Sequence, residues 1–270
     1  MSNVILCYRN ILENSGGIVT VTSENASFPK YRLYDRDIGK LFKGTTTPAN
    51  FYITLDQGGT IYEVDRLLIP LGHNLDGLLL KLQYSTDNFA GDVNDAASWT
   101  QSDSGLINKT FTAQTKRYWR LNIAAPASIP ILAEMYLTKT YTFVQNVAFD
   151  LQEKKQRNIG RRYTGSGNPR ISKYGESKQY RNYRINCFLA AQKTEFESWE
   201  TLCEGIKPVY ISDHNGSWMF VEILNEISFS PLSNDLWSIG LELLETTTGG
   251  VGIYLLTEEG ERIIIEDGTI

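Results

Sequence analysis

His73 and His214 are the only two histidines in 270 residues, and imidazole is the side chain best suited to proton transfer near neutral pH. His73 falls in the turn GHNLDG and His214 in the turn DHNG, so both read as exposed turn residues. A Ser-His-Asp relay can be drawn on paper, but no G-x-S-x-G elbow presents a nucleophile. The patterns H-E-x-x-H, Walker A and EF-hand do not occur. Gly165–Gly167 (GSG) lacks the preceding buried strand and following helix that would cradle a phosphate. A carboxylate pair for glycoside cleavage is defined in space, not in sequence, and no pair stands out among the 31 Asp and Glu. Cys7, Cys187 and Cys203 are odd in number and widely spaced, with neither a disulfide nor a zinc pattern, which fits free thiols in a reducing cytoplasm. The chain is therefore expected to bind or assemble, not to catalyse, and to need no cofactor.

Charge is distributed unevenly. The net formal charge is −5, which argues against nucleic acid as the partner of the whole chain. Residues 151–184 hold 10 Lys/Arg against 2 Asp/Glu, whereas residues 185–270 hold 3 against 15. The basic stretch EKKQRNIGRRYTGSGNPRISKYGESKQYRN (153–182) is a long polar connection of the kind that serves as an interaction arm. Its residues Arg157, Arg161, Arg162, Tyr163, Arg170 and Lys173 are the candidates for an inter-subunit contact, the acidic segment of a neighbouring copy being the natural partner. Tyrosines interleaved with Lys and Arg are also a nucleic-acid recipe, and a solvated loop is the third reading.

These segments sit among short strands. Ile18–Thr22, Phe51–Asp56 (FYITLD), Val64–Pro70, Leu78–Ser85 (LLLKLQYS), Thr110–Phe111, Tyr118–Ile123 (YWRLNI) and Ile131–Thr138 alternate or are β-branched, with turn residues between them. That spacing predicts a mainly β sandwich or barrel. A boundary is placed near Thr140–Tyr141, followed by a strand over Tyr141–Asp150. After the arm come strand Tyr183–Ala190 and a helix over Glu195–Glu204, with Thr194 as N-cap, Glu197 completing a capping box, and an apolar stripe of Phe196, Trp199, Leu202 and Cys203. Strands Pro208–Ser212, Trp218–Leu224, Glu226–Ser230 and Trp237–Leu244 follow. Ile253–Thr257 and Arg262–Glu266 read as a C-terminal hairpin. The N-terminal MSNVILCYRN has no signal-peptide pattern, and no apolar run reaches the length of a membrane span.

The ordered set YDRDIG (34–39), FYITLDQG (51–58), VDRLLI (64–69), LKLQYSTDNF (80–89), Trp99 and RYWRLN (117–122) resembles the discoidin domain, also called coagulation-factor 5/8 type C or galactose-binding-like. The likeness covers about residues 20–138 and lacks the terminal cysteine pair of secreted members. It implies a jelly-roll β-sandwich over 1–140. Sugar recognition in such a domain would use loops at one end, which points to His73, Asn74, Asp76 and Trp99; the plainer alternative is that Trp99 packs on the sandwich and the others form turns. The turn holding Asp35 and Asp37 supplies calcium ligands in some galactose-binding-like domains, so these two are the candidates for a structural calcium, or else ordinary turn-forming carboxylates.

Phe196, Trp199, PVYISD (208–213) and WMFVEI (218–223), with their strand–helix–strand order, resemble a siphophage distal tail or minor tail protein of tail-tube-like fold. This implies a ring domain over 141–247 carrying the arm 153–182, then a hairpin extension over 248–270. The resemblance further implies a virion tail location after assembly in the host cytoplasm, a homo-oligomeric ring of six copies, and tail-tube and tail-hub or tip proteins as partners, with a host surface glycan as a further one and no membrane. Here the jelly roll precedes the ring domain where relatives place it after, which leaves open which tail component this would be. A carbohydrate-binding adhesion module acting alone is the rival expectation, and a glycosidase or esterase ranks last.

Overall fold

The computed structural model describes residues 3–13, 16–144, 152–156, 159–163, 169–173, 178–203, 208–233, 235–246, 253–256 and 262–265. The chain is mainly β, with a sandwich in its first half and a β unit bearing one flanking helix in its second. It divides into two compact units, Leu6–Tyr141 and Met1–Ile5 with Thr142–Ile270.

In the first unit a five-stranded antiparallel sheet runs in the order Ile18–Val21, Asn50–Asp56, Tyr118–Ala124, Leu79–Ser85, Asn94–Thr100. A three-stranded sheet of Tyr136–Thr138, Glu63–Ile69 and Ile107–Thr115 completes the sandwich. Period-2 alternation decides which side chains go inside. Phe51, Ile53 and Leu55 from one strand and Trp119, Leu121 and Ile123 from its neighbour are buried, and they join Val64, Leu67, Ile69, Leu80, Leu82, Ile107 and Leu137 in one core. Trp119 sits 5.7 Å from both Tyr84 and Phe111, ring centre to ring centre.

In this unit two segments depart from the expectation most. Asn94–Thr100 (NDAASWT) is a strand although its composition is poor in β-branched residues; it is the outer strand of the sheet, where the ladder with Leu79–Ser85 supplies what propensity does not. Ile131–Thr138 is not one strand. Ile131–Leu132 pairs with Phe42–Lys43, Tyr136–Thr138 pairs with Glu63–Ile69, and the chain changes partner across Ala133–Met135. Met135 N–H donates to Leu33 O at 2.8 Å in that break.

In the second unit the strands Val209–Ser212, Trp218–Ile223, Leu236–Glu245, Lys178–Leu189 and Gln152–Gln156 lie side by side in that order, and Phe229–Ser233 also pairs with Leu236–Glu245. The helix spans Ala190–Cys203 and begins five residues before the expected start. Its first turn follows directly from the strand, where the Gln192 side chain accepts from Leu189 N–H at 3.0 Å. Thr194 is therefore inside the helix, not its N-cap, and donates its hydroxyl back to Ala190 O at 3.2 Å. Phe196, Trp199 and Cys203 are buried on one face, with Phe196 4.9 Å from Trp199 and 5.8 Å from Phe229. Cys203 and Cys7 are buried. The expected strand Tyr141–Asp150 is short: Thr140–Thr142 is extended, and residues 145–151 lie outside the described residues. No described helix is long and apolar enough to cross a membrane.

Candidate functional site

The turn holding His73 folds inward. Gly72 at φ 100° and Gly77 at φ 74° let the chain reverse tightly on either side. His73 is only 5% exposed, which corrects its reading as an exposed turn residue. Its Nδ1 accepts from Leu75 N–H at 3.3 Å, so Nε2 is the protonated nitrogen and donates to Gly105 O at 2.7 Å. Asn74 is equally engaged: Nδ2 donates to Ser128 Oγ and Ile129 O, and Oδ1 accepts from Ile131 N–H at 2.8 Å. Asp76 is exposed. Trp99 packs against the core, with Nε1 donating to Gln101 Oε1 at 3.2 Å and the Lys109 ammonium 5.2 Å from its ring centre. No hydrogen bond or ring contact joins any two of these four among the described residues. His214 is buried too, which corrects the same expectation; it stands edge-on to Tyr183 at 6.0 Å.

Asp35 and Asp37 form consecutive side-chain turns, accepting from Asp37 N–H and Gly39 N–H at 3.0 Å each. The residue that sequence reasoning missed is Glu134, in the break between the two short strands. It is fully buried, neither carboxylate oxygen has a hydrogen-bond partner, and burial, then the charges of Glu13 and Asp35, push its carboxyl well above the usual range. Arg36, the cation whose charge acts on Glu134, already grips Glu13 through Nε and Nη2. Among the described residues no three His, Cys, Asp or Glu side chains are placed to hold a metal ion, so Glu134 does not join Asp35 and Asp37 in a cation site, and the two aspartates act as turn-forming carboxylates.

A better-formed arrangement lies on the outward face of the five-stranded sheet. The alternation that buries Phe51 and Trp119 turns Tyr52 and Arg120 outward, both half-buried. Register sets Thr54 and Gln83 on either side of Arg120, and Tyr52 and Lys81 on either side of Asn122. The Arg120 guanidinium lies 4.6 Å from the Tyr52 ring centre and 4.1 Å from that of Phe89. Its Nε donates to Gln83 Oε1 at 2.8 Å, Gln83 Nε2 donates to Asp95 Oδ1 at 2.6 Å, and Lys81 Nζ meets Asp95 Oδ2 at 3.1 Å. Hydrogen bonding from Gln83, then Lys81, holds the Asp95 carboxyl below its ordinary range. Arg117 is paired with Asp56 at 2.7 Å. Among the described residues Arg120, unlike Lys81 and Arg117, has no carboxylate in ion-pair reach, and its two terminal nitrogens find no acceptor.

The loop over residues 86–92 places Phe89. Asn88 and Phe89 both have positive φ, 57° and 64°, a conformation rare for a bulky side chain. Asp87 holds the loop there by accepting from Ser85 Oγ and from the N–H groups of Ala90, Gly91 and Asp92, while Ser85 Oγ accepts from Phe89 N–H at 2.9 Å. Asp92 in turn accepts from Thr86 N–H and Oγ1.

The basic arm is not a bare loop. Gln152–Gln156 joins the sheet of the second unit, and Ile159–Tyr163 pairs with Pro169–Lys173 as a separate ribbon with Arg162 opposite Arg170. Antiparallel pairing satisfies the backbone of a segment whose side-chain pattern carries no strand signal. Arg157 lies outside the described residues, as do the side chains of Arg161, Arg162, Tyr163, Arg170 and Lys173. Ile253–Leu256 and Arg262–Ile265 form a second such ribbon.

No family model matches the chain, and no curated protein matches it. Among solved structures, chitosan-binding module 1 of a chitosanase/glucanase from Paenibacillus sp. IK-5 is 20% identical, with 48% of this chain and 98% of that one covered and a TM-score of 0.42. A carbohydrate-binding module of Clostridium perfringens, solved with GalNAc-β-1,3-galactose, is 16% identical over 47% of this chain and 98% of its own, TM-score 0.40. A Ruminococcus gnavus fucosidase in complex with fucose is 14% identical over 49% of this chain, TM-score 0.42, and the match spans only 27% of that enzyme. At these values the likeness bears on no residue of the site.

Proposed function

We propose that the sandwich unit is a non-catalytic glycan-recognition module. One observation carries this reading: its broad sheet face fixes aromatic rings, an arginine fork, an amide and a carboxylate side by side, at Tyr52, Phe89, Arg120, Gln83 and Asp95. Saccharides are bound by that combination, since ring faces cover their C–H surfaces and oriented polar groups take their hydroxyls. The face also differs from the end loops expected to bind sugar, where His73 and Asn74 are committed to holding loops together. Saccharides are what the Paenibacillus and Clostridium modules bind as well, but the ground for the proposal is this chain's own residues. A glycan array probed with the full chain tests it: binding to at least one glycan class is expected, lost when Tyr52 and Phe89 are both replaced by Ala. A folded chain that binds nothing on the array contradicts the proposal.

A second reading, a homo-oligomeric component of a viral tail tip, is favoured by a different observation. The ribbons Ile159–Tyr163/Pro169–Lys173 and Ile253–Leu256/Arg262–Ile265 pair only with themselves among the described residues, and two-stranded ribbons are marginal alone in water. The basic 151–184 and acidic 185–270 segments suit a contact between copies. Light scattering behind size exclusion tests this: a ring is expected at low salt, and a monomer at every concentration and ionic strength counts against it.

A further inference from the structure

We propose that Tyr52, Arg120 and Phe89 form a carboxylate-binding clamp, and that the sandwich takes glycans bearing uronic acid. The inference rests on the glycan-recognition reading and names the class of sugar. Its ground is what remains unused at Arg120. The Nε is fixed by Gln83, and Gln83 is fixed by Asp95, so the plane and edge of the guanidinium are set before any ligand arrives. Two rings lie against it at 4.6 and 4.1 Å. The terminal nitrogens are left over, forming a flat pair of donors with no carboxylate partner among the described residues. A planar fork of this kind matches a planar carboxylate through two parallel hydrogen bonds. Pre-orientation removes much of the entropy that a free arginine would lose on binding. The other cations of the face do not compete for the acid, since Lys81 is committed to Asp95 and Arg117 to Asp56.

The loop supplies an independent argument. Phe89 at φ 64° is strained, and backbone strain persists only where the surroundings over-determine it. Here Asp87 and Ser85 hold the loop through six hydrogen bonds, and the result is a ring against Arg120. A glycine would hold the same backbone without strain. The phenyl ring is what the strain maintains.

The experiment is calorimetric titration of the full chain with a tetramer of galacturonic acid and with its carboxyl-reduced counterpart, tetragalactose. The acidic tetramer should bind at least tenfold more tightly than the neutral one. Arg120→Lys keeps the charge and loses the fork, and should weaken acid binding about tenfold or more, a clearly larger loss than it causes in neutral-sugar binding. Phe89→Gly should weaken acid binding severalfold without lowering the melting temperature, so a folding defect in the lysine variant cannot obscure the result. Equal affinity for the two tetramers, or acid affinity unchanged in both variants, overturns the clamp and leaves the glycan reading standing. If neither tetramer binds while neutral glycans bind on the array, the clamp again falls alone. If nothing binds at all, both fall.

Discussion

Arg120 and Arg181 sit in the two units and are held in opposite ways. Arg181 is 9% exposed and meets Asp213, itself 1% exposed, at 2.5 Å, with the Tyr183 hydroxyl beside it at 3.3 Å. Asp213 is saturated: its second oxygen accepts from Asn215 and Ser217 N–H groups at 2.9 and 2.7 Å, which closes the DHNG turn. Arg120 is half-buried and leans on rings and an amide, with no carboxylate. The same side chain therefore ends in a closed circuit in one place and an open one in the other. A cation that is buried and neutralised holds a fold together, whereas one that is oriented but not neutralised has donors left for a ligand.

The largest expected effect tests the closed circuit. Arg181→Ala leaves Asp213 buried without its counter-charge, a change that costs about 3–5 kcal/mol. Arg120→Ala loses a hydrogen bond and two ring contacts at a partly exposed site, about 1 kcal/mol. Urea unfolding of each variant measures the difference. Equal losses would erase the contrast between the two arginines.

Glu134 sharpens the contrast from the acid side, because it is buried like Asp213 yet lacks a partner, Arg36 being occupied by Glu13. A carboxyl raised by burial costs stability wherever the unfolded chain would ionise it, that is, as pH rises above the ordinary 4.5. Glu134→Gln should therefore melt higher than the parent at neutral pH, and the gap should close as pH falls below 4.5, where the parent's carboxyl is protonated in both states. A gap that is absent at neutral pH, or that does not change with pH, would mean that the buried carboxyl carries no such cost.

The strands of the sandwich are legible because FYITLD and YWRLNI alternate cleanly, and that alternation alone puts Tyr52 and Arg120 on one face. The clamp is not legible. It needs the cross-strand register that brings Gln83 beside Arg120, and it needs Phe89 at positive φ, which nothing in STDNFAGD announces for the phenylalanine. The two histidines differ from expectation for a related reason: glycine-flanked turns promise exposure, but here the turns fold back and the imidazoles go inside. Thr194 and Glu197 look like a capping box, yet Ala190 and Ala191 continue the helix upstream and Gln192 meets Leu189, so the local signal is overridden. Glu134 is read as part of the strand ILAEMYLT until the change of sheet partner isolates it.

A smaller effect comes from the loop. Phe89→Gly should relieve backbone strain of order 1–3 kcal/mol and lose ring contacts worth about 0.5–1 kcal/mol. The net expectation is a chain more stable by about 1 kcal/mol, read by urea unfolding beside the parent. Loss of stability would mean that the ring supports the fold, as Tyr183 does beside Arg181, and that the open circuit is less open than its hydrogen bonds suggest.

The smallest effect is read on one carboxyl. Gln83 links Arg120 to Asp95, and its hydrogen bond is the main reason the Asp95 carboxyl is depressed below the ordinary 3.8. A depressed carboxyl favours the folded state above the ordinary value, and that contribution is lost as pH falls through the lower folded-state value. The Asp95 side chain is 39% exposed, so screening makes the stability change too small to follow by unfolding. Carbon-detected NMR follows the group directly. In the parent, Asp95 should titrate below 3.8. In Gln83→Ala the midpoint should rise toward 3.8, though not fully, because Lys81 and Arg120 still act on it. A midpoint unmoved by the loss of Gln83 would mean that the amide does not couple the two, and that Arg120 is oriented by its rings alone.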